Sequence, residues 1–248
     1  MSLSIKLGNF LYKHAFAVYR PMYYGFKKRQ DRFEIELLKK YVKPGSTVLD
    51  IGANIGFYAD ILSNLVGAEG MVHCFEPDAT NFKYLQKAVG AKKNILLNQK
   101  AVGAKTEVLK FYTSPNLNVD HRSYEPEEYE SVTEVAAISV DDYLAGHSRK
   151  IDVIKIDIQG FEMQALSGMQ HCLKNNEHIV LISEFWPYGL RKAGSSINAY
   201  FEALVAYGFI VYLMENSALK KLSSADVQAM SDLGEEHYFN ILAQRSHV

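Results

Sequence analysis

The segment from Val48 to Tyr58 holds the residues best spaced to do chemistry. An apolar run ends in Asp50, and Gly52, Asn54 and Gly56 follow at two-residue intervals before a helical pattern begins. A glycine turn of this kind lets a ligand approach bare backbone, and the helix after it offers unpaired N–H groups. It is not a phosphate cradle. A P-loop needs Gly-Lys-Ser/Thr after its four-residue spacer, and the dinucleotide fingerprint needs glycine where Asn54 stands. A carboxylate at the strand end would repel a pyrophosphate and suits a ligand with a cationic amino-acid end. Asp50 would receive that ammonium directly or through water, and Asn54 can bond the turn or the ligand's carboxylate.

Glu76 lies 26 residues after Asp50, at the end of a second apolar run and just before Pro77. A carboxylate there can accept hydrogen bonds from the vicinal hydroxyls of a ribose. Nicotinamide enzymes use the same geometry, so Glu76 alone indicates only a ribose. Asn98 and Ala101 follow a third run, where an amide and the backbone could border an adenine. A third acid, Asp157, ends the apolar run from Ile151.

These residues need strands to present them. Thr47–Asp50, Met71–Glu76 and Ile95–Leu97 read as buried strands, with helices at Phe57–Val66 and Ala79–Val89 between them. This alternation predicts a doubly wound, mostly parallel α/β sheet with ligands at its carboxyl edge. Thr106–Thr113 and Val132–Val140 read as strands of an insertion, and the polar stretch from Ser114 to Ser131 as a loop overhanging the site. The rhythm resumes with strands at Ile151–Asp157 and Ile179–Ser183. Phe209–Leu213 and Tyr238–Ala243 suit a final antiparallel pair. The economical division is an N-terminal arm, residues 1–42, and one domain, residues 43–248.

Composition narrows the classes. The formal net charge of −1 gives no global pull toward nucleic acid, and two cysteines, Cys74 and Cys172, make neither a disulfide framework nor a zinc site. Buried thiols fit a reducing, cytoplasmic setting. The N-terminal apolar residues are broken by Lys6, Lys13 and Arg20, so no signal peptide is expected, and no run approaches the length of a membrane span. Residues 1–30 nevertheless carry six Lys or Arg and no acid, interleaved with Phe10, Tyr12, Phe16, Tyr19, Tyr23, Tyr24 and Phe26. Two readings stand side by side. One is a helical arm packing on the domain or on a second copy in a homodimer. The other is a peripheral contact with the inner face of a membrane.

Several segments together resemble the FkbM family of S-adenosylmethionine (SAM)-dependent methyltransferases. They are Asp50–Gly56, Phe75-Glu76-Pro77, Lys100-Ala101-Val102-Gly103, Ser139-Val140-Asp141-Asp142-Tyr143-Leu144 and the block from Ile151 through Lys155-Ile156-Asp157-Ile158-Gln159-Gly160-Phe161-Glu162. The likeness covers about residues 45–215. It implies the seven-stranded Rossmann-like sheet of class I methyltransferases, with an antiparallel last strand. It also implies methyl transfer from SAM to a hydroxyl of a saccharide, glycolipid or secondary metabolite. The cofactor set would be Asp50, Gly52, Asn54, Gly56, Glu76, Pro77, Asn98 and Ala101. This chain has Gln159 where the family has Glu, which weakens any base or metal-ligand role at that position.

An alcohol needs its proton removed as it attacks. Asp157 is the first candidate for that, with Glu184 at the next strand end and His121, the sole histidine of the overhanging loop, beside it. Trp186 and Tyr188 could wall an acceptor, and Arg122 could meet an anionic one. A divalent metal on Asp157 and Glu184 stays open, with metal-free action favoured. Two alternatives are a nicotinamide-dependent oxidoreductase and a catalytically inactive SAM-binding protein. The missing Asn/Asp-Pro-Pro-Tyr/Phe block and the overall charge argue against a nucleic-acid substrate.

Overall fold

The structure, a computed structural model, describes residues 3–114, 122–126, 129–147 and 149–245. Three helices come first, α1 (Leu3–His14), α2 (Phe16–Gln30) and α3 (Arg32–Tyr41). The anticipated βαβαβ unit follows as β1 (Thr47–Ile51), α4 (Phe57–Val66), β2 (Met71–Phe75), α5 (Ala79–Val89) and β3 (Ile95–Asn98). Next come β4 (Ala101–Val102), β5 (Glu107–Thr113), β6 (Ser131–Ile138) and the short α6 (Val140–Leu144). The chain then runs through β7 (Val153–Ile156), α7 (Glu162–Ser167), α8 (Gln170–Asn175), β8 (Val180–Phe185), α9 (Pro187–Lys192) and α10 (Ile197–Ala206). It finishes with β9 (Phe209–Glu215), β10 (Ala218–Lys221), α11 (Ser224–Met230) and β11 (Phe239–Arg245).

The main sheet has the order β10-β9-β11-β8-β7-β1-β2-β3. β3, β2, β1, β7 and β8 are parallel, and β11 inserts antiparallel between β8 and β9. The strand order reverses beside β1, which places the ligand crevice at the carboxyl ends of β1, β2 and β7. The doubly wound α/β fold is as the sequence predicts, but the sheet holds eight strands rather than seven. The extra one, β10, folds back on β9 through Asn216 and Ser217, both at positive φ. That is a two-residue hairpin made without its usual glycine, so its sequence signal is weak. The insertion is a separate three-stranded sheet, β4-β6-β5. Val140, read as the end of a strand, instead opens α6, because the Ser139 side chain accepts the Asp142 N–H and caps a helix there.

Strand alternation divides the core into two faces. Leu49, Ile51, Ile154, Ile156, Leu181 and Ile241 pack toward α7, α8 and α10. Val48, Val72, Val153, Ile182 and Leu242 pack with Ile35 and Leu38 of α3 and with Phe57, Tyr58 and Leu62 of α4. Asp50 and Lys155, which share the alternation of Val48 and Val153, therefore project to the α3–α4 face. That parity brings two charges under the sheet's helical cover.

Candidate functional site

The turn after β1 is built by close approach. Gly52 sits at φ +89°, and a Cβ there would come within 2.0 Å of the Asp157 carbonyl oxygen. The N–H groups of Gly52 and Ala53 both donate to the Phe75 carbonyl, at 3.0 and 2.9 Å. The Asp157 N–H donates to Ile51 at 2.9 Å. The three acid-bearing strand ends are thus tied edge to edge.

Glu76 faces the resulting cleft. Its two carboxylate oxygens each accept one backbone N–H, from Asn54 and from Asp78, both at 2.9 Å. Each oxygen retains a lone pair for a ligand hydroxyl. Burial pushes the Glu76 carboxyl up to about 8 despite those two bonds. The cleft is lined by Gly52, Asn54, Glu76, Pro77, Ala101 and Asp157, together with Phe111 and Ser123 of the insertion. Its free volume is about 50 Å³, whereas small-molecule sites run to several hundred. A nucleoside needs more room than this.

Asp50 stands behind the turn rather than in the cleft. It is 0 % exposed, and neither carboxylate oxygen has a hydrogen-bond partner. Burial, partly offset by Lys155, pushes it up to about 6. Lys155, its register partner on β7, is buried, with Nζ 4.1 Å from the centre of the Tyr58 ring and 3.3 Å from Asp157 Oδ2. Burial opposes the lysine's charge, but Asp157, Glu34 and Asp50 outweigh it and raise its pKa. Asp157 is pulled the other way. Burial would raise it, yet Lys155, Lys27 and the bonds from Lys155 and Gln159 hold it below its ordinary value. Carboxylates outnumber cations around the turn, which is an environment for a positively charged ligand group.

At the ends of β7 and β8 the Gln159 amide joins two acids. Its Nε2 donates to Asp157 Oδ1 at 3.3 Å and to the two oxygens of Glu184 at 3.3 and 3.4 Å. Gln159 sits at φ +55°, a costly conformation for a residue with a side chain. The next residue, Gly160, at φ +97°, lies so close to Gly189 that a Cβ would reach its backbone at 2.4 Å. Glu162 fastens this turn by accepting the N–H groups of Ile158 and Gly160, at 3.2 and 3.1 Å. Burial pushes Glu162 up to about 7.

Several anticipated site residues take other roles. Gly56 packs against Leu85 and Ala88 of α5, away from the cleft. The Asn98 amide donates to the Cys74 carbonyl and the Tyr143 hydroxyl, at 3.2 and 3.3 Å, which anchors α6 under the sheet. Trp186 is buried. Its indole N–H donates to the Glu235 carbonyl at 3.0 Å, and Arg122 covers the ring at 5.1 Å, so it offers no wall to an acceptor. Arg122 also pairs with Glu235 at 3.0 Å. Glu184 lies within β8, one residue before its end, and His121 lies outside the described residues. Among the described residues no group of three or more His, Cys, Asp or Glu could hold a metal ion.

Sequence reasoning missed Tyr58, Tyr23 and Asn81. Tyr58 caps the Lys155 ammonium, Tyr23 of α2 packs over the same cluster, and Asn81 lines the cleft while accepting the Tyr12 hydroxyl at 2.6 Å. Only Asn81 had a local signal, its spacing from the helix-capping Asp78.

A model of the Methyltransferase FkbM domain matches residues 50–211. The hexuronic acid methyltransferase AglP of Haloferax volcanii is 25 % identical over 156 residues, 62 % of this chain and 62 % of AglP. Methyltransferase FkbM from Methylobacillus flagellatus KT superposes with a TM-score of 0.50 at 15 % identity, over 80 % of this chain and 43 % of that one. SMU.1697c of Streptococcus mutans, in complex with SAH, gives a TM-score of 0.51 at 11 % identity, over 87 % and 97 % of the two chains. The chain therefore spans less than two thirds of AglP and under half of the Methylobacillus protein.

Proposed function

This chain belongs to the FkbM family of SAM-dependent methyltransferases, and from that premise we propose that it methylates a hydroxyl oxygen of a saccharide, glycolipid or secondary metabolite. The likeness to AglP favours a sugar-bearing acceptor. The observation that carries the reading is the pair of carboxylates, Asp157 and Glu184, joined by one amide beside the Glu76 cleft.

The residues present fit SAM. Both oxygens of Asp50 are buried without a partner behind a turn whose Gly52 admits no Cβ. In this reading Glu76 would hold the ribose hydroxyls, Ala101 and Pro77 would border the adenine, Asn54 would serve the amino-acid end, and Asp50 would act on that end only as a buried charge behind the turn. SAM, when bound, would supply a methyl carbon on a sulfonium whose C–S bond breaks to release a neutral thioether without acid assistance.

The protein's own task is to align the acceptor and take its proton. Lys155 keeps Asp157 ionised at neutral pH, so it can accept a hydrogen bond from the acceptor hydroxyl. That carboxylate or Glu184 would take the acceptor hydroxyl's proton, and Gln159 keeps the two oriented. Phe111 and Ser123 of the insertion line the same cleft and would limit water there.

Calorimetry with S-adenosylhomocysteine tests the cofactor, and labelled-methyl transfer into glycan and lipid extracts tests the acceptor. Label in an alkali-stable ether supports hydroxyl methylation. Label released by mild alkali marks a carboxyl ester and rejects it.

A further inference from the structure

We propose that the outer face of α2 docks on an anionic lipid surface. The inner side of this helix is tied to the domain. Tyr19 is buried, Tyr23 and Tyr24 pack on the α3–α4 face, and the Tyr24 hydroxyl donates to the Ile55 carbonyl at 3.2 Å. The outer side carries Val18, Met22 and Phe26, four residues apart and 52 %, 57 % and 64 % exposed. Single exposed apolar side chains are ordinary on soluble proteins. Here three fall on one stripe, while the tyrosines of the helix, Tyr19, Tyr23 and Tyr24, are turned inward. A solvated helix has the opposite arrangement.

Charge decides the occupant. Lys28 and Arg29 lie two and three residues after Phe26 and are exposed, as is Lys13 at the end of α1, which pairs with Glu130 at 3.4 Å. Residues 1–30 hold six cations and no acid in a chain whose net charge is −1. A second copy would bring the same cationic face against itself in a two-fold contact. An anionic bilayer presents opposite charge beside hydrocarbon, which matches both halves of the pattern. Lipid binding needs neither SAM nor acceptor, so it stands or falls apart from the proposed reaction.

The full chain is sedimented with vesicles of phosphatidylglycerol and phosphatidylcholine in equal parts, and with phosphatidylcholine alone. Binding is expected on the mixed vesicles, weakened at least tenfold on the neutral ones and further by salt. Each cation near the surface is worth about fivefold in partition, so joint Lys28→Glu and Arg29→Glu lowers it at least about 25-fold. Phe26→Ser lowers it about tenfold. Both variants are exposed positions and keep the parent unfolding temperature. No sedimentation with mixed vesicles, or sedimentation that the charge reversals leave unchanged, overturns the proposal. So does a concentration-dependent dimer, abolished by Met22→Glu, in a chain that binds no vesicle.

Discussion

Replacing Lys155 with Met removes the buried cation and keeps most of its volume. At 3.3 Å from Asp157 and an effective dielectric of about 20, the pair is worth about 5 kcal/mol of Coulomb attraction. The Asp157 side chain is 35 % exposed, so solvent screens part of that, and a loss of about 3 kcal/mol at pH 7.5 is expected. The pH dependence carries the stronger test. Asp157 is depressed in the parent, so its contribution is present above the ordinary carboxylate range and disappears as pH falls through its folded value. Lys155 is raised, so its contribution is full below the ordinary lysine value and is lost only at strongly alkaline pH. In the variant, burial acts unopposed on Asp50, and only Lys27 and the Gln159 bond still oppose it on Asp157. Their pKa values rise, and acidification toward pH 5 stabilises the variant as they take up protons. The gap between parent and variant should shrink to about 1 kcal/mol at pH 5. Urea unfolding followed by circular dichroism at the two pH values measures it. A gap that stays constant or widens on acidification would refute the coupling between Lys155 and the two acids.

Gly52→Ala sets a methyl group against the Asp157 carbonyl at a positive φ, and should cost about 3 kcal/mol, read as a melting temperature about 8 °C lower with S-adenosylhomocysteine binding lost. Glu76, raised to about 8, must ionise to accept two ribose hydroxyls. Affinity for S-adenosylhomocysteine should therefore rise about 25-fold from pH 6.5 to 8.5 in calorimetry, and Glu76→Gln should bind at least tenfold more weakly at pH 8.5 with no such slope. Gln159→Glu places a third carboxylate between Asp157 and Glu184 and should lower methyl transfer at least tenfold. Activity appearing only in that variant would mean the parent is a cofactor binder without catalysis.

The sequence reading was strongest where structure is local. Asp50, Glu76 and Asp157 fall at or beside strand ends because each closes an apolar run just before a turn. β10 escaped because Asn216-Ser217 makes its hairpin without glycine. The partners of the site residues escaped for a different reason. Tyr58 meets Lys155 only once two strands align, and Tyr12 reaches Asn81 across 69 positions. Trp186 looked like a ligand wall, but its cover, Arg122, comes from a distant loop. Side-chain type and spacing thus located the cleft, whereas the electrostatics within it depend on contacts between segments that no single window contains.

The chain's one tryptophan is the indole wedged between Arg122 of the insertion and the carbonyl of Glu235. It is therefore a built-in optical reporter of the Arg122 contact. Its emission should be that of a dry, stacked indole while Arg122 covers it, and should shift to the red and quench more readily in iodide in an Arg122→Ala variant. A change in that emission on adding S-adenosylhomocysteine would read the contact directly, with no dye attached and no acceptor identified.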